Sequence, residues 1–211
     1  MQIGILGSGD VGRELGSGLI RHGHSVMIGS REPRRDSLLE WARETGGLTG
    51  LPHEAAQYGE WVILATVWSG AHATLELADS RNLAGKVLID VTNPLDFSSG
   101  SPPSLSVSGG DSAGESVQRW MPDARVVKAL NTVNARLMVD PDVAGGPPTM
   151  FIAGNDESAR GDVSEFLNEI GWDVADLGPI QAARYIEGMA MCWIWYGFAH
   201  DKWDHAFKLL K

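Results

Sequence analysis

Met1-Gln2-Ile3-Gly4-Ile5-Leu6-Gly7-Ser8-Gly9-Asp10-Val11-Gly12 opens the chain and decides its fold. The apolar run through Leu6 predicts a strand, the glycines predict a turn, and Val11, Leu15 and Leu19, recurring every fourth position, predict a helix. A G-x-G-x-x-G string carries little weight alone, but between a strand and a helix it has a physical mechanism. Gly7 permits the tight turn, Gly9 lets a diphosphate approach the backbone, and Gly12 lets the helix pack closely on the strand. Free N–H groups and partial positive charge at the helix N-terminus then favour an anion by roughly 0.3–1 kcal/mol. Ser8, Asp10 and Val11 complete the candidate dinucleotide-binding turn.

A second strand is predicted over His24-Ser25-Val26-Met27-Ile28, and it ends in Gly29-Ser30-Arg31, where an NAD site usually places Asp or Glu. A carboxylate there would accept hydrogen bonds from the ribose 2′-OH and repel a 2′-phosphate. A serine hydroxyl and an arginine fork bind that phosphate instead. The pattern points to NADP(H), with Ser30 and Arg31 as the discriminating residues. Arg34 and Arg35 follow and add positive field, partly cancelled by Glu32 and Asp36, so they read either as phosphate neighbours or as the solvated start of a helix.

The chain has 211 residues, 43% hydrophobic and 21% charged, enough for an ordinary core. Its formal net charge of −10 opposes a nucleic-acid or anionic-membrane role. The single Cys192 lies among apolar neighbours and reads as a buried structural thiol. Six histidines form no zinc-ligand spacing, so no metal is expected. Residues 1–6 enter the first strand directly and no apolar run reaches the length of a membrane span, which makes the cytoplasm the expected location.

Further along, Trp61-Val62-Ile63-Leu64-Ala65 is an apolar run that stops at Thr66-Val67-Trp68-Ser69-Gly70, with a helix expected over His72 to Leu77. Lys86 to Val91 stops at Thr92-Asn93-Pro94, and Arg125 to Ala129 stops at Leu130-Asn131-Thr132. The alternation reads as βαβ throughout. Ligands of doubly wound sheets bind beyond the carboxyl ends of the strands, which brings Thr66, Trp68, Asn93 and Asn131 to one crevice mouth. Asn93-Pro94 also reads as a turn starter and Asn131 as a helix cap.

Ser, Gly and Pro dominate Phe97 to Ser116, which reads as a long loop, either a lid or an insert. A second break at Asp142 to Pro148 precedes a strand at Thr149 to Ala153, a helix from Glu157 to Ile170 ended by Gly171, and a last strand at Trp172 to Ala175. From Ile180 the chain is expected to be helical, with Met189, Met191, Trp193, Trp195, Phe198 and Trp203 covering more than one face. The expected architecture is α/β: a Rossmann-type, doubly wound, mainly parallel sheet over 1–178. A C-terminal helical segment over 179–211 is expected to pack on the sheet or on a second subunit of a homodimer.

Taken together, Gly7-Ser8-Gly9-Asp10-Val11-Gly12, Gly29-Ser30-Arg31, Asp90-Val91-Thr92-Asn93-Pro94-Leu95, Val127-Lys128-Ala129-Leu130-Asn131-Thr132 and Gly154-Asn155-Asp156 resemble the coenzyme F420-dependent NADP oxidoreductases. The same motifs resemble the cytosolic domain of six-transmembrane metalloreductases, which use NADPH and a flavin. The resemblance covers most of the chain and implies direct hydride transfer between the nicotinamide and F420, FMN or FAD in the strand-end crevice. It assigns the glycine turn to the diphosphate, Ser30 and Arg31 (with Arg35) to the 2′-phosphate, and Thr66, Val67 and Trp68 to the nicotinamide side. Asn93, Ala129 and Asn131 fall at the crevice. The chain departs from the family pattern at Trp68-Ser69, where proline often stands beside the tryptophan, and in the Ser/Gly-rich loop after Asn93.

Transfer of hydride between stacked rings needs alignment more than an acid or base, so no residue is assigned a catalytic role. A carbonyl or imine reductase needs a proton donor, and the tyrosine-x-x-x-lysine pairing of one such class is absent: Tyr58, Tyr185 and Tyr196 lead to Val62, Met189 and His200. Lys128 reads either as a proton donor in a 3-hydroxyacid-like arrangement or as part of a strand-end motif that serves the fold. The alternatives are a non-catalytic NADP(H)-binding redox sensor, from a different functional class, and a reductase of a small carbonyl or imine substrate.

Overall fold

The computed structural model describes residues 1–210. Eight strands form one sheet in the order β10-β9-β8-β5-β4-β1-β2-β3. They are β1 (Gln2–Leu6), β2 (Ser25–Gly29), β3 (Leu48–Gly50), β4 (Trp61–Leu64), β5 (Val87–Asp90), β8 (Arg125–Lys128), β9 (Thr149–Gly154) and β10 (Asp173–Asp176). The central strands are apolar on both faces, as helices on both sides require. Ile3, Ile5, Ile63, Ile89 and Val127 face one core, under α1 (Asp10–Arg21), α2 (Asp36–Thr45) and α7 (Glu157–Glu169). Leu6, Val62, Leu64, Leu88 and Val126 face the other, under α3 (Pro52–Tyr58), α4 (Trp68–Ala78), α5 (Ser80–Leu83) and α6 (Ala113–Trp120).

Strand β1 pairs in parallel with β2 on one side and with β4 on the other. The chain builds outward from β1 to β3, then crosses back to β4, and so creates the switch point at which such sheets bind ligands.

The βαβ alternation fails once. β9 runs antiparallel to β8, with Lys128 opposite Ala153. Between them lies only the short 3-10 turn Ala135–Leu137 rather than a crossover helix, and a parallel return needs such a crossover. The sheet is therefore mainly, not wholly, parallel.

The segment expected as a loop over Phe97 to Ser116 is partly structured. β6 (Leu95–Asp96) and β7 (Ser104–Leu105) pair as a small hairpin, and α6 begins at Ala113. Ser112 is its N-cap: the hydroxyl accepts from the Glu115 N–H at 3.1 Å and donates to the Glu115 carboxylate at 2.8 Å. This N-cap satisfies one of the N–H groups that an uncapped helix start leaves open, while the Ser112 N–H itself donates to the Asp111 carboxylate at 2.9 Å. Helix α4 begins at Trp68 rather than near His72.

Helix α8 (Ala183–His200) buries Ile186, Ala190, Trp193, Ile194 and Gly197 at helical spacing. Cys192 is exposed, correcting the expectation of a buried thiol: it falls off that stripe, and apolar neighbours in sequence do not bury a side chain on the outer face of a helix. Tyr185, Trp195, Tyr196 and Phe198 are exposed on the same helix. Beyond α8 the chain folds back, and Trp203 packs on Trp193 and Phe198 with ring centroids 5.4 and 5.2 Å apart. It ends against β9, where the Thr149 N–H donates to the Phe207 carbonyl at 2.8 Å. Lys211, the last residue of the expected 179–211 segment, lies outside the described residues.

Candidate functional site

A crevice of about 940 Å³ opens at the carboxyl ends of β1, β2, β4, β5 and β8. Its first wall is the glycine turn. Gly7 has φ +132°, and a Cβ there would lie 2.1 Å from the Ala65 carbonyl oxygen. A Cβ on Gly12 would lie 2.0 Å from the Gly7 carbonyl oxygen, so α1 can approach the turn only with glycine at that position. Nothing lies within 4 Å of the space a Gly9 Cβ would occupy, which leaves that side of the turn open. Gly9 is also the N-cap of α1 and supplies no side-chain acceptor, so the first N–H groups of the helix are left for another partner. The Asp10 carboxylate does not fill the position: it is exposed and pairs with Arg13 at 2.6 Å.

At the end of β2, the Ser8 hydroxyl donates to Ser30 Oγ at 3.0 Å, and the Glu32 N–H donates to the same oxygen at 3.1 Å. With both lone pairs engaged, Ser30 has its own proton left to donate. Arg35 lies over the turn and donates through Nη2 to the Ser8 carbonyl. Its Nε is buried and lacks a hydrogen-bond partner. Arg31 is exposed on the crevice rim beside Glu32.

The opposite wall carries Thr66, Val67, Trp68, Asn93 and Asn131. Trp68 is half-buried and stacks on Trp120 of α6 at 5.3 Å and 20°. Asn93 and Asn131 bind each other: Asn93 Nδ2 donates to the Asn131 carbonyl at 2.7 Å, and Asn131 Nδ2 donates to Asn93 Oδ1 at 2.9 Å. Asn131 caps no helix, since the following 3-10 turn is capped by Asn134. Of the sequence-selected residues, Gly12 and Ala129 are not on the crevice wall. Gly12 is buried beneath the turn, and the Ala129 N–H is spent on the Asp90 carbonyl at 3.1 Å. Leu77, Phe97 and Met138 also line the crevice, and nothing in the sequence marks them, because an isolated apolar residue carries no motif.

Behind the Asn93 wall sits an ion cluster that sequence reading missed. Lys128 is fully buried, with Nζ 3.1 Å from Asp90 Oδ2 and 3.2 Å from Glu187 Oε1. It also donates to the Thr92 carbonyl. Asp90 Oδ1 accepts from the Thr92 N–H at 2.9 Å and its hydroxyl at 2.7 Å. Glu187, on α8, accepts from the first N–H groups of α6, those of Ala113 at 2.9 Å and Gly114 at 3.0 Å. Burial pulls the Lys128 ammonium pKa down, but Asp90 and Glu187 outweigh it and hold the pKa above the ordinary lysine value. The lysine therefore stays charged at neutral pH and serves as a structural cation. Among the described residues no group of three or more His, Cys, Asp or Glu is placed to hold a metal ion, and no helix is long and apolar enough to cross a membrane.

Residues 2–94 match the family model described as NADP oxidoreductase, coenzyme F420-dependent. The chain is 33% identical over 201 residues to the F420-dependent NADP reductase of Methanothermobacter marburgensis, covering 89% of this chain and 88% of that protein. A crystal structure of a candidate F420-dependent NADP reductase from Arthrobacter sp. FB24 superposes with a TM-score of 0.95 at 41% identity, covering 100% of both chains. Metalloreductase STEAP3 of Rattus norvegicus is 32% identical over 193 residues, which are 90% of this chain and 36% of that protein. The chain thus spans about a third of the length of the curated metalloreductases it matches. From its matched motifs, near-full-length relative and superposed fold, the chain belongs to the family of coenzyme F420-dependent NADP oxidoreductases.

Proposed function

We propose that the protein transfers hydride between NADP(H), held in the strand-end crevice, and coenzyme F420 or a flavin. The residues fit the nucleotide. The open face at Gly9 and the uncapped α1 N-terminus suit a diphosphate. Ser30, with a proton to spare, and exposed Arg31 suit a 2′-phosphate, with the unpartnered Arg35 Nε beside them. The nicotinamide supplies the hydride chemistry, while these side chains bind, orient and exclude water.

One observation carries the choice of acceptor class: the wall from Thr66 to Phe97 and on to Asn131 presents hydroxyl, amide and apolar groups and no titratable side chain. Lys128, the nearest lysine in the sequence, is sealed behind it in ion pairs. Reduction of a carbonyl or imine needs a placed proton donor, whereas transfer between two flat rings needs only their alignment. Half-buried Trp68 and exposed Val67, Leu77 and Phe97 give a flat acceptor apolar surface to lie against. The same reading includes a homodimer through α8, whose outer face carries exposed Tyr185, Trp195, Tyr196 and Phe198.

The test is to mix the purified protein with NADPH and, separately, F420, FMN and FAD, following the absorbance band of the reduced nicotinamide. Oxidation of NADPH with at least one of these acceptors is expected. Tight NADPH binding without turnover on any of them would favour a redox sensor instead.

A further inference from the structure

Trp68 stands on the crevice wall as the first residue of α4, directly after the N-cap Val67. A helical side chain leans back over the turn that precedes it, and the first residue of a helix has no such turn beneath it. No hydrogen bond fixes the ring either. The indole N–H groups of Trp41, Trp172 and Trp193 each donate to an oxygen, whereas among the described residues that of Trp68 has no acceptor. Its one aromatic neighbour among those residues is Trp120 of α6, with ring centroids 5.3 Å apart and planes at 20°.

Trp120 is itself firmly seated. His72, one turn beyond Trp68, packs on the same ring at 4.6 Å and 52°, so Trp120 bridges two residues on one face of α4. At the Trp120 end of α6, Gln118 Nε2 donates to the carbonyls of Met121 and Ala124 at 3.2 and 3.0 Å. At the other end, the Glu187 carboxylate of α8 accepts from Ala113 and Gly114 at 2.9 and 3.0 Å. Trp120 is not among the residues that line the crevice. A ring behind the wall, on a helix tied down at both ends and stacked on a wall ring that its own helix leaves unsupported, is the kind of backing that a precisely placed contact surface requires.

We propose that Trp120 is a positioning residue for hydride transfer: by stacking on Trp68 it sets the plane of the indole against which the flat acceptor lies, and so the distance and tilt of the acceptor ring relative to the nicotinamide. Trp120 acts only through Trp68. The proposal rests on the hydride-transfer reading above and adds to it a residue outside the crevice that governs turnover rather than nucleotide binding.

The test pairs calorimetric NADPH binding with steady-state turnover of NADPH on whichever of F420, FMN and FAD the wild type reduces. Trp120→Ala is expected to lower kcat by about tenfold to a hundredfold, the cost of misplacing a reacting ring by up to about 1 Å, with NADPH affinity unchanged. Trp120→Phe keeps a ring to stack and is expected to recover most of the rate. Trp120→Leu, apolar but without a ring, takes the place of the alanine variant should that fail to fold. In a Trp68→Ala background, Trp120→Ala is expected to cost nothing further, because the two residues act as one unit. Fully additive losses, a wild-type kcat in a folded Trp120→Ala or Trp120→Leu, or a loss of NADPH affinity as large as the loss of rate would overturn the positioning role while leaving the hydride-transfer reading intact. A wild type that binds NADPH but turns over none of the three acceptors would remove both.

Discussion

Lys128→Met is expected to lower folding stability by about 3–5 kcal/mol, measured as a shift of the urea unfolding midpoint at unchanged slope. The substitution leaves the Asp90 and Glu187 carboxylates buried without their shared cation, which stands 3.1 and 3.2 Å from them. Removing one partner of a buried ion cluster costs far more than the intact cluster contributes, because the remaining charges stay out of water. For a domain whose total stability is typically about 5–15 kcal/mol, that is a large share. The loss should be partly recovered when Asp90→Asn and Glu187→Gln accompany it, since neutral amides leave no uncompensated charge. A loss below about 1 kcal/mol would mean that the cluster is solvated rather than buried.

The second large effect concerns the turn. Gly12→Ala would set a methyl 2.0 Å from the Gly7 carbonyl oxygen, so α1 must move off the turn. Moving the helix N-terminus off the diphosphate removes N–H contacts to a charged group, each worth about 1.5–3 kcal/mol, so a loss of NADPH affinity of about tenfold to a hundredfold is expected. Gly9→Ala is the informative companion. Its methyl meets nothing within 4 Å in the free protein, so stability should stay at the wild-type level while NADPH binding falls. Fluorescence titration with NADPH and thermal unfolding of both variants separate the two cases. Wild-type affinity in Gly9→Ala would place the diphosphate elsewhere.

The parts of the fold that sequence reading reached are those written in adjacent residues. The β1–turn–α1 unit, the polar ends of β4, β5 and β8, and the absence of an acid directly after β2 all depend on local pattern. What escaped depends on partners distant in sequence or on signals diluted by their surroundings. The Ser112 N-cap of α6 lies inside a Ser/Gly-rich stretch that masks it. Glu187 sits in an aromatic helix with no local reason to mark it, and only the packing of α8 on α6 brings it to Lys128. The exposure of Cys192 is not legible in the sequence, because exposed aromatics on α8 hide the buried stripe of Ile186, Ala190, Trp193 and Gly197. The antiparallel β9 follows from a missing crossover helix, and a turn-rich break does not announce which way the chain returns.

The most direct measurement is calorimetric titration of the wild type and Arg31→Ala with NADPH and NADH. The wild type is expected to prefer NADPH by about tenfold or more, the effect of one charge-assisted contact to the 2′-phosphate, and Arg31→Ala to lose that preference with NADH affinity nearly unchanged. Equal losses for both nucleotides, or a wild type that prefers NADH with Glu32 acting as the ribose acceptor, would contradict the assignment of the β2 end to a phosphate.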